Sequence, residues 1–229
     1  MSTIGITHGQ ASSIAESAGS MRVHRALLWC GVVSSALYVA TDIIGGLRYP
    51  GYSFTSQAIS ELMARGAPSE PVVDTLFLVY SVLAVAFGIG VFREGQSNRQ
   101  LRLTGALLAL YAALGATGPT LFEMDQRGAG SLTGDTPHII LTAVISLLLL
   151  LAMGLGAMAL GRRFRAFSFA SMLVVAAFGG FTGTFASQLA AGQPTPGMGI
   201  VERVCIYTSM LWIAVLGATL LRRRGSSLS

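Results

Sequence analysis

The side chains in this sequence that are able to do chemistry are a few carboxylates and one histidine near the ends of long apolar segments. Asp42 comes near the end of the first apolar segment, Glu61 lies in the polar stretch after it, and Asp125 and His138 flank a later connection. A carboxylate beside an imidazole suits proton transfer, or an oxygen-rich metal site with one imidazole. Asp135, one turn before His138, could orient a ring nitrogen. We therefore interpret Asp42, Glu61, Asp125 and His138 as candidate catalytic residues.

A second group of polar residues could bind a ligand at the same end of the molecule. Ordinary structure explains several other acids there, because the helix dipole favours a carboxylate in the first turn of a helix. For Asp42 the competing interpretation is an interfacial carboxylate that pairs with Arg48, and for His138 it is a capping or pairing role. The candidate binding residues are Arg48, Tyr52, Ser53 and Arg203, and the acids explained by the dipole are Glu70, Asp74, Asp135 and Glu202.

Several kinds of site have no motif in this sequence. It contains no HExxH, CxxC or paired histidines that would indicate zinc or haem, no GxSxG elbow and no phosphate-binding glycine loop, so we predict no metal and no cofactor. No arginine run is interleaved with aromatic residues in a polar segment, which excludes nucleic acid as a partner. Cys30 and Cys205 are expected at opposite ends of the molecule, too far apart for a disulfide.

The elements that must position these residues are membrane-spanning helices. Of 229 residues, 52% are hydrophobic and 11% charged, and the mean hydropathy is +0.65. Soluble domains carry about 25% charged residues, and apolar runs of about 20 residues match the thickness of a bilayer. The sequence therefore predicts an all-α bundle of six transmembrane helices over residues 22–222, between a disordered tail (1–21) and a C-terminal tail (223–229). The expected spans are 26–47, 71–92, 102–122, 137–160, 167–189 and 200–221.

Orientation in the membrane follows from the arginines, since the chain contains no lysine. With both termini in the cytoplasm, eleven arginines lie inside and four outside, which agrees with the positive-inside rule. We therefore expect a multi-pass protein of the plasma membrane, with its longer loops on the outer face. In the first outer loop, Ser53–Met63 has the spacing of a short amphipathic helix lying at the interface.

Short motifs in the outer loops resemble a known family. They are Tyr49-Pro50-Gly51-Tyr52-Ser53, Ile59-Ser60-Glu61-Leu62 with Pro68, then Glu123-Met124-Asp125, and His138 at the start of the fourth span. This pattern resembles the domain-of-unknown-function 998 family, six-helix membrane proteins of bacteria and archaea, and the resemblance extends over residues 26–221. It implies the six-span topology and a polar outer face, and it implies no particular reaction.

These observations favour a membrane protein with a polar pocket at its outer face, which binds or processes a lipid-like amphiphile. Whether it is an enzyme stays open at this point. One alternative is a transporter of small molecules or ions, although the middles of the spans are almost entirely apolar. The other is a non-catalytic structural or assembly protein. The expected partners are membrane lipid, an amphiphilic ligand and a second copy of the chain in a homo-oligomer.

Overall fold

The computed structural model describes residues 8–128 and 132–226, and within these ranges every regular element is helical. The six-helix bundle predicted from the sequence is confirmed. Short helical elements lie in the connections at one end of it. The long helices are α1 (His8–Arg48), α2 (Glu70–Glu94), α3 (Arg99–Gly115), α5 (Leu132–Ala159), α6 (Arg162–Gly183) and α8 (Met198–Ser226), and the short elements are α4 (Gly118–Leu121), α7 (Ala186–Ala190) and a 3-10 helix at Ile59–Met63.

Five of the six long helices are long and apolar enough to cross a membrane. The sixth, α3, has 17 residues. At 1.5 Å per residue it rises about 26 Å, close to the roughly 30 Å of a bilayer's hydrocarbon core. The expected third span over residues 102–122 is therefore divided between α3 and α4. Pro119 explains the break, because it has no N–H to donate to the carbonyl of Gly115.

The N-terminal segment differs from the expected disordered tail. Helix α1 begins at His8, so residues 8–21 are helical and continue into the first span without a break. Residues 1–7 and 227–229, the remainder of the two expected tails, lie outside the described residues.

The six long helices pack as a closed ring, in the order α1, α2, α3, α5, α6, α8 and back to α1. Each helix contacts its two neighbours far more than any helix across the ring. We call the end with the brief connections α2–α3 and α5–α6 the turn end, and the opposite end, with the longer connections, the loop end. Towards the turn end the ring is filled by the buried side chains of Leu28, Phe87, Met153, Trp212 and Leu216.

The first connection packs into the loop end instead of lying at the interface. The expected helix over Ser53–Met63 is a shorter 3-10 helix, Ile59–Met63, in which Ile59, Glu61 and Leu62 are buried. It contacts α1, α2 and α8. The expected apolar side covers protein and not lipid, and Glu61, which the amphipathic spacing places on the polar side, is buried as well. The connection therefore closes the top of the ring.

Helices α2 and α3 approach closely at two glycines. A Cβ added at Gly105 would lie 2.2 Å from the backbone nitrogen of Phe92, and one added at Gly88 would lie 2.5 Å from the backbone nitrogen of Ala109. No side chain fits at such distances without moving one backbone away from the other. These glycines set the spacing of one side of the ring.

We predict that Gly105→Ala lowers the melting temperature of the protein in detergent, because the added methyl separates α2 from α3 at a cost of about 1–3 kcal/mol. The matched control is Gly180→Ala on α6, where an added Cβ has nothing within 4 Å. Thermal unfolding followed by cysteine accessibility measures both variants. Equal melting temperatures for the two would contradict the close packing.

Candidate functional site

A buried ion pair joins the first and last helices at the loop end. Asp42, six residues before the end of α1, has no exposed surface, and the side chain of Arg203 in α8 is 11% exposed. Arg203 Nε donates to Asp42 Oδ2 at 2.9 Å and Nη2 donates to Oδ1 at 2.7 Å. Tyr207 OH donates to Asp42 Oδ2 at 2.5 Å. The pairing is bidentate, and the carboxylate has a third donor from the next turn of α8.

Every N–H of the Arg203 guanidinium is used within the protein. Besides the two bonds to Asp42, Nη2 donates to Tyr52 OH at 2.7 Å. The Nη1 atom donates to the carbonyls of Phe54 and Gln57 at 2.8 and 3.0 Å, with Gly199 O at 3.1 Å. A guanidinium has five N–H donors, so none remains for a ligand. Arg203 fixes the first connection onto α8.

Tyr52 belongs to the same group of contacts. Its hydroxyl accepts from Arg203 and donates to Ala58 O at 2.7 Å. Burial raises the pKa of Tyr52 well above its usual value, and this outweighs the opposing effect of the Arg203 hydrogen bond. The hydroxyl therefore stays protonated and keeps its donor role. Sequence analysis placed Tyr52 and Arg203 among the candidate binding residues and Asp42 among the candidate catalytic residues, and the structure brings the three side chains into one group of contacts.

Glu61 has a different arginine as its partner. Arg127 Nη2 donates to Glu61 Oε1 at 2.7 Å and Nε donates to Oε2 at 3.0 Å, and the Glu61 side chain is 3% exposed. Arg127 also donates to Gln193 O at 2.9 Å and to Ser56 O at 3.4 Å. One side chain thus connects the three long connections of the loop end. Sequence analysis did not select Arg127, which lies in a glycine-flanked polar stretch without periodicity.

Asp125 lies in a third, more exposed group. Arg65 Nε donates to Glu123 Oε2 at 2.8 Å, and Arg65 Nη1 is 3.7 Å from Asp125 Oδ1, while the Arg65 side chain is 66% exposed. The hydrogen bond and charge of Glu123 raise the pKa of Arg65 above its usual value. The backbone N–H of Asp125 donates to Asp135 Oδ1 at 2.9 Å. These contacts hold the α4–α5 connection to the first connection.

His138 lies apart from the other expected catalytic residues. Its Nδ1 is 2.9 Å from Phe122 O. A carbonyl only accepts, so Nδ1 carries a proton and Nε2 of the neutral ring is an acceptor. Within the described ranges, no hydrogen bond connects His138 to Asp42, Glu61 or Asp125. The structure thus places the four expected catalytic residues in separate groups of contacts.

The two remaining candidate binding residues have no visible part in the ion pair. Arg48 is exposed at the end of α1, and the partner of Asp42 is Arg203, contrary to the competing interpretation of an Asp42–Arg48 pair. Ser53 N–H donates to Gln57 Oε1 at 2.9 Å, and Ser53 O accepts from Gln57 N–H at 2.8 Å. Ser53 therefore shapes the turn before the 3-10 helix. No cluster of three potential metal ligands occurs among the described residues.

A groove of about 520 Å³ runs along the outside of α8. Phe54 and Thr55 form its upper end, and the α8 residues Ile200, Val204 and Leu211 lie along it. Arg203 and Tyr207 also line it, but their polar atoms are bonded to other protein groups. The surface that lines the groove is mostly apolar.

The ring-facing side of α5 is covered at the turn end and open at the loop end. Leu149 and Met153 are buried on this side, with 4% and 0% exposed. The same face continues towards the loop end with Ser146, Thr142 and His138, which precede Leu149 by three, seven and eleven residues. Ser146 and Thr142 are exposed, and His138 is half-buried. Sequence analysis missed this polar stripe, although its spacing of four residues was a readable signal.

The neighbouring helix does not cover the open side. No residue of α5 between 136 and 148, and none of α6 between 176 and 183, is buried, whereas both helices have buried residues nearer the turn end. Near the loop end, α5 contacts the connection that follows α3, since Phe122 O bonds His138. Helix α6 contacts α8 instead, where Cys205 Sγ lies 3.5 Å from Val175 O. The contact between α5 and α6 is therefore looser at the loop end, where the short helix α7 also contacts α5, and we call this stretch the lateral gap.

We predict that Arg203→Ala destabilises the folded protein by about 3–5 kcal/mol, because it leaves the Asp42 carboxylate buried without a partner. The double variant Asp42→Asn, Arg203→Met removes both charges and should recover much of that loss. Arg65→Ala, at an exposed ion pair, is the control and should leave the melting temperature nearly unchanged. A double variant no more stable than Arg203→Ala would contradict the unpaired charge as the cause.

Comparison with known proteins identifies a family and no characterised relative. A family model described as a protein of unknown function (DUF998) matches residues 32–219. No curated protein and no solved structure matches the chain. The match includes all six long helices in whole or in part and both residues of the buried Asp42–Arg203 pair. The chain belongs to the DUF998 family of membrane proteins.

Proposed function

We propose that this protein binds a lipid-like amphiphile inside the loop end of the ring, and that the amphiphile enters from the bilayer between α5 and α6. The observation that carries the proposal is the uncovered polar stripe of His138, Thr142 and Ser146 on the ring-facing side of α5. Polar groups at membrane depth are costly unless they have partners. A headgroup in the ring would supply those partners while its chain extends into the lipid.

The hydroxyls of the stripe differ from several threonine hydroxyls elsewhere in the helices. Thr104, Thr208 and Thr219 each donate to the carbonyl four residues earlier in their own helix, at 2.9, 2.7 and 2.7 Å. In the described parts of the chain, Thr142 and Ser146 make no such bond and have no other hydrogen bond. Their donors and acceptors are therefore available to a ligand.

The covering of the loop end supports access from the membrane rather than from water. Ala58, Ala64, Met124, Leu189 and Met198, which come from all three long connections, pack together as a buried apolar cluster. The Arg127 contacts described above join the same three connections. This covering would block a ligand that approaches from water, whereas the lateral gap would admit one from the bilayer. This arrangement suits a molecule that is already dissolved in lipid.

We predict that Thr142→Trp lowers the amount of amphiphile that stays with the purified protein by about tenfold or more, because the indole fills the space next to the stripe. Leu147→Trp is the matched control, since Leu147 is 58% exposed on the opposite side of α5. Mass spectrometry of lipids extracted from protein purified in mild detergent measures retention. If all three proteins retain the same lipids in the same amounts, the proposed site is wrong.

The proposal includes an orientation in the plasma membrane, with both termini in the cytoplasm and the loop end outside. In this orientation a membrane-impermeant maleimide should label Ser187→Cys, an exposed position on α7, in intact cells. Ser97→Cys, exposed in the α2–α3 turn, should react only after the membrane is opened. Both variants are made with Cys30 and Cys205 replaced by serine. The reverse labelling pattern would place the loop end in the cytoplasm.

A further inference from the structure

We propose that the amphiphile carries a protonated amine, and that the carboxylate of Glu202 binds this headgroup. This inference rests on the proposed function and names the chemical class of its ligand. It is carried by the position of Glu202 in the ring, by the aromatic side chains nearby, and by the way the arginines of the loop end are used.

Glu202 is on the side of α8 that faces the interior of the ring. Ser209 and Ile213, seven and eleven residues later on the same face, are buried, while Ile200 and Leu211 on the opposite face are exposed. The carboxylate is held from above, because its Oε2 accepts the backbone N–H of Ile59 in the 3-10 helix. Glu202 therefore points inward, directly below the covering of the loop end.

One oxygen of this carboxylate is available. No hydrogen bond to Glu202 Oε1 occurs among the described residues, and no arginine lies within 4.0 Å of the carboxylate. Asp42 and Glu61, the other buried acids of the first connection and its helix, are each paired with an arginine. The Glu202 residue is half-buried, so its free oxygen borders open space.

Aromatic side chains of α1, α2 and α3 pack together in the interior of the ring. The ring of Tyr38 lies 4.8 Å from that of Phe77 and 5.0 Å from that of Tyr80, and Tyr80 OH is 3.0 Å from Tyr111 OH. Tyr38 lies one turn before Asp42 on α1, and Asp42 bonds Arg203, the residue that follows Glu202. Aromatic faces attract ammonium groups, and a carboxylate beside them supplies the opposite charge. A phosphate or carboxylate headgroup would gain from neither.

The arginines at the loop end are not available for an anionic headgroup. Arg203 has all its donors bonded, Arg127 is bonded to Glu61 and two carbonyls, and Arg65 and Arg48 are exposed outside the ring. The eight carboxylates assigned to this end outnumber its four arginines. The local field therefore favours a positively charged ligand.

The test compares two photoactivatable probes that share a hexadecyl chain with a diazirine and differ only in the headgroup, a primary amine or a phosphate. The full chain is reconstituted in phosphatidylcholine nanodiscs, and labelled peptides are identified by mass spectrometry. The amine probe should label peptides of α5 and α8 at lower concentration than the phosphate probe. Glu202→Gln should raise the amine concentration needed for half-maximal labelling about tenfold or more, since it removes the charge of the bond.

Two variants control for folding and for general charge. Glu202→Gln keeps an acceptor for the Ile59 N–H but removes the charge, whereas Glu202→Asp keeps the charge. If the charge binds the amine, the amine probe should label the Glu202→Asp protein better than the Glu202→Gln protein. Glu70→Gln is the matched control, because Glu70 also accepts one backbone N–H, from Gly66 at 2.5 Å, but lies at the start of α2. It should leave labelling by the amine unchanged.

The outcomes separate this inference from the proposed function. Equal labelling by both probes that is insensitive to Glu202→Gln but blocked by Thr142→Trp overturns the amine and leaves the amphiphile site in place. Labelling confined to lipid-facing residues, or unaffected by Thr142→Trp, overturns both. Preferential amine labelling that is lost in both Glu202→Gln and Thr142→Trp supports both.

Discussion

The loop end of this protein depends on one buried ion pair, Asp42 with Arg203. Moving two charges out of water costs several kcal/mol each, and their attraction compensates only when the remaining donors and acceptors are bonded as well. Here the five guanidinium donors are all used, and Tyr207 gives the carboxylate a third bond. The pair closes the ring between its first and last helices. It also fixes the first connection, because three of the bonded atoms belong to Tyr52, Phe54 and Gln57.

A consequence of this arrangement is a division between structural and available polar groups. Arginine is the costly group to bury, and at the loop end every inward arginine is consumed by a carboxylate and by backbone carbonyls. The acids are in excess, so the groups that remain are two acceptors, a Glu202 oxygen and His138 Nε2, and the hydroxyls of α5, which donate and accept. Asp42 and Glu61, which sequence analysis selected as catalytic candidates because they are charged, are therefore engaged in ion pairs with arginines. The residues that remain free are less conspicuous.

The sequence predicted the six helices and placed the start of α2 within one residue, at 71 instead of Glu70, because bilayer length and proline impose local rules. For Asp42 the sequence left two interpretations open, a functional carboxylate facing the bundle and an interfacial carboxylate that pairs with Arg48. It could not identify Arg203 as the partner of Asp42 over Arg48, because the choice depends on α8 lying beside α1, 161 residues apart in sequence. The separation of His138 from Asp42 is likewise a result of ring order. Local patterns carry no information on which helices become neighbours.

The gap between α5 and α6 is harder to explain by packing than by binding. Both helices are buried near the turn end, so the sequence is able to build a tight contact between them, and large apolar residues would continue that contact to the loop end. Instead α5 carries hydroxyls and a histidine on the face that would have to pack. In hydrocarbon these polar groups need hydrogen-bond partners, so a separation of α5 from α6 is stable only if a polar molecule supplies them. Under the proposed function the covering connections restrict bulk water and the gap opens to lipid, so a molecule with both a polar head and an apolar chain would fit the two surroundings at once.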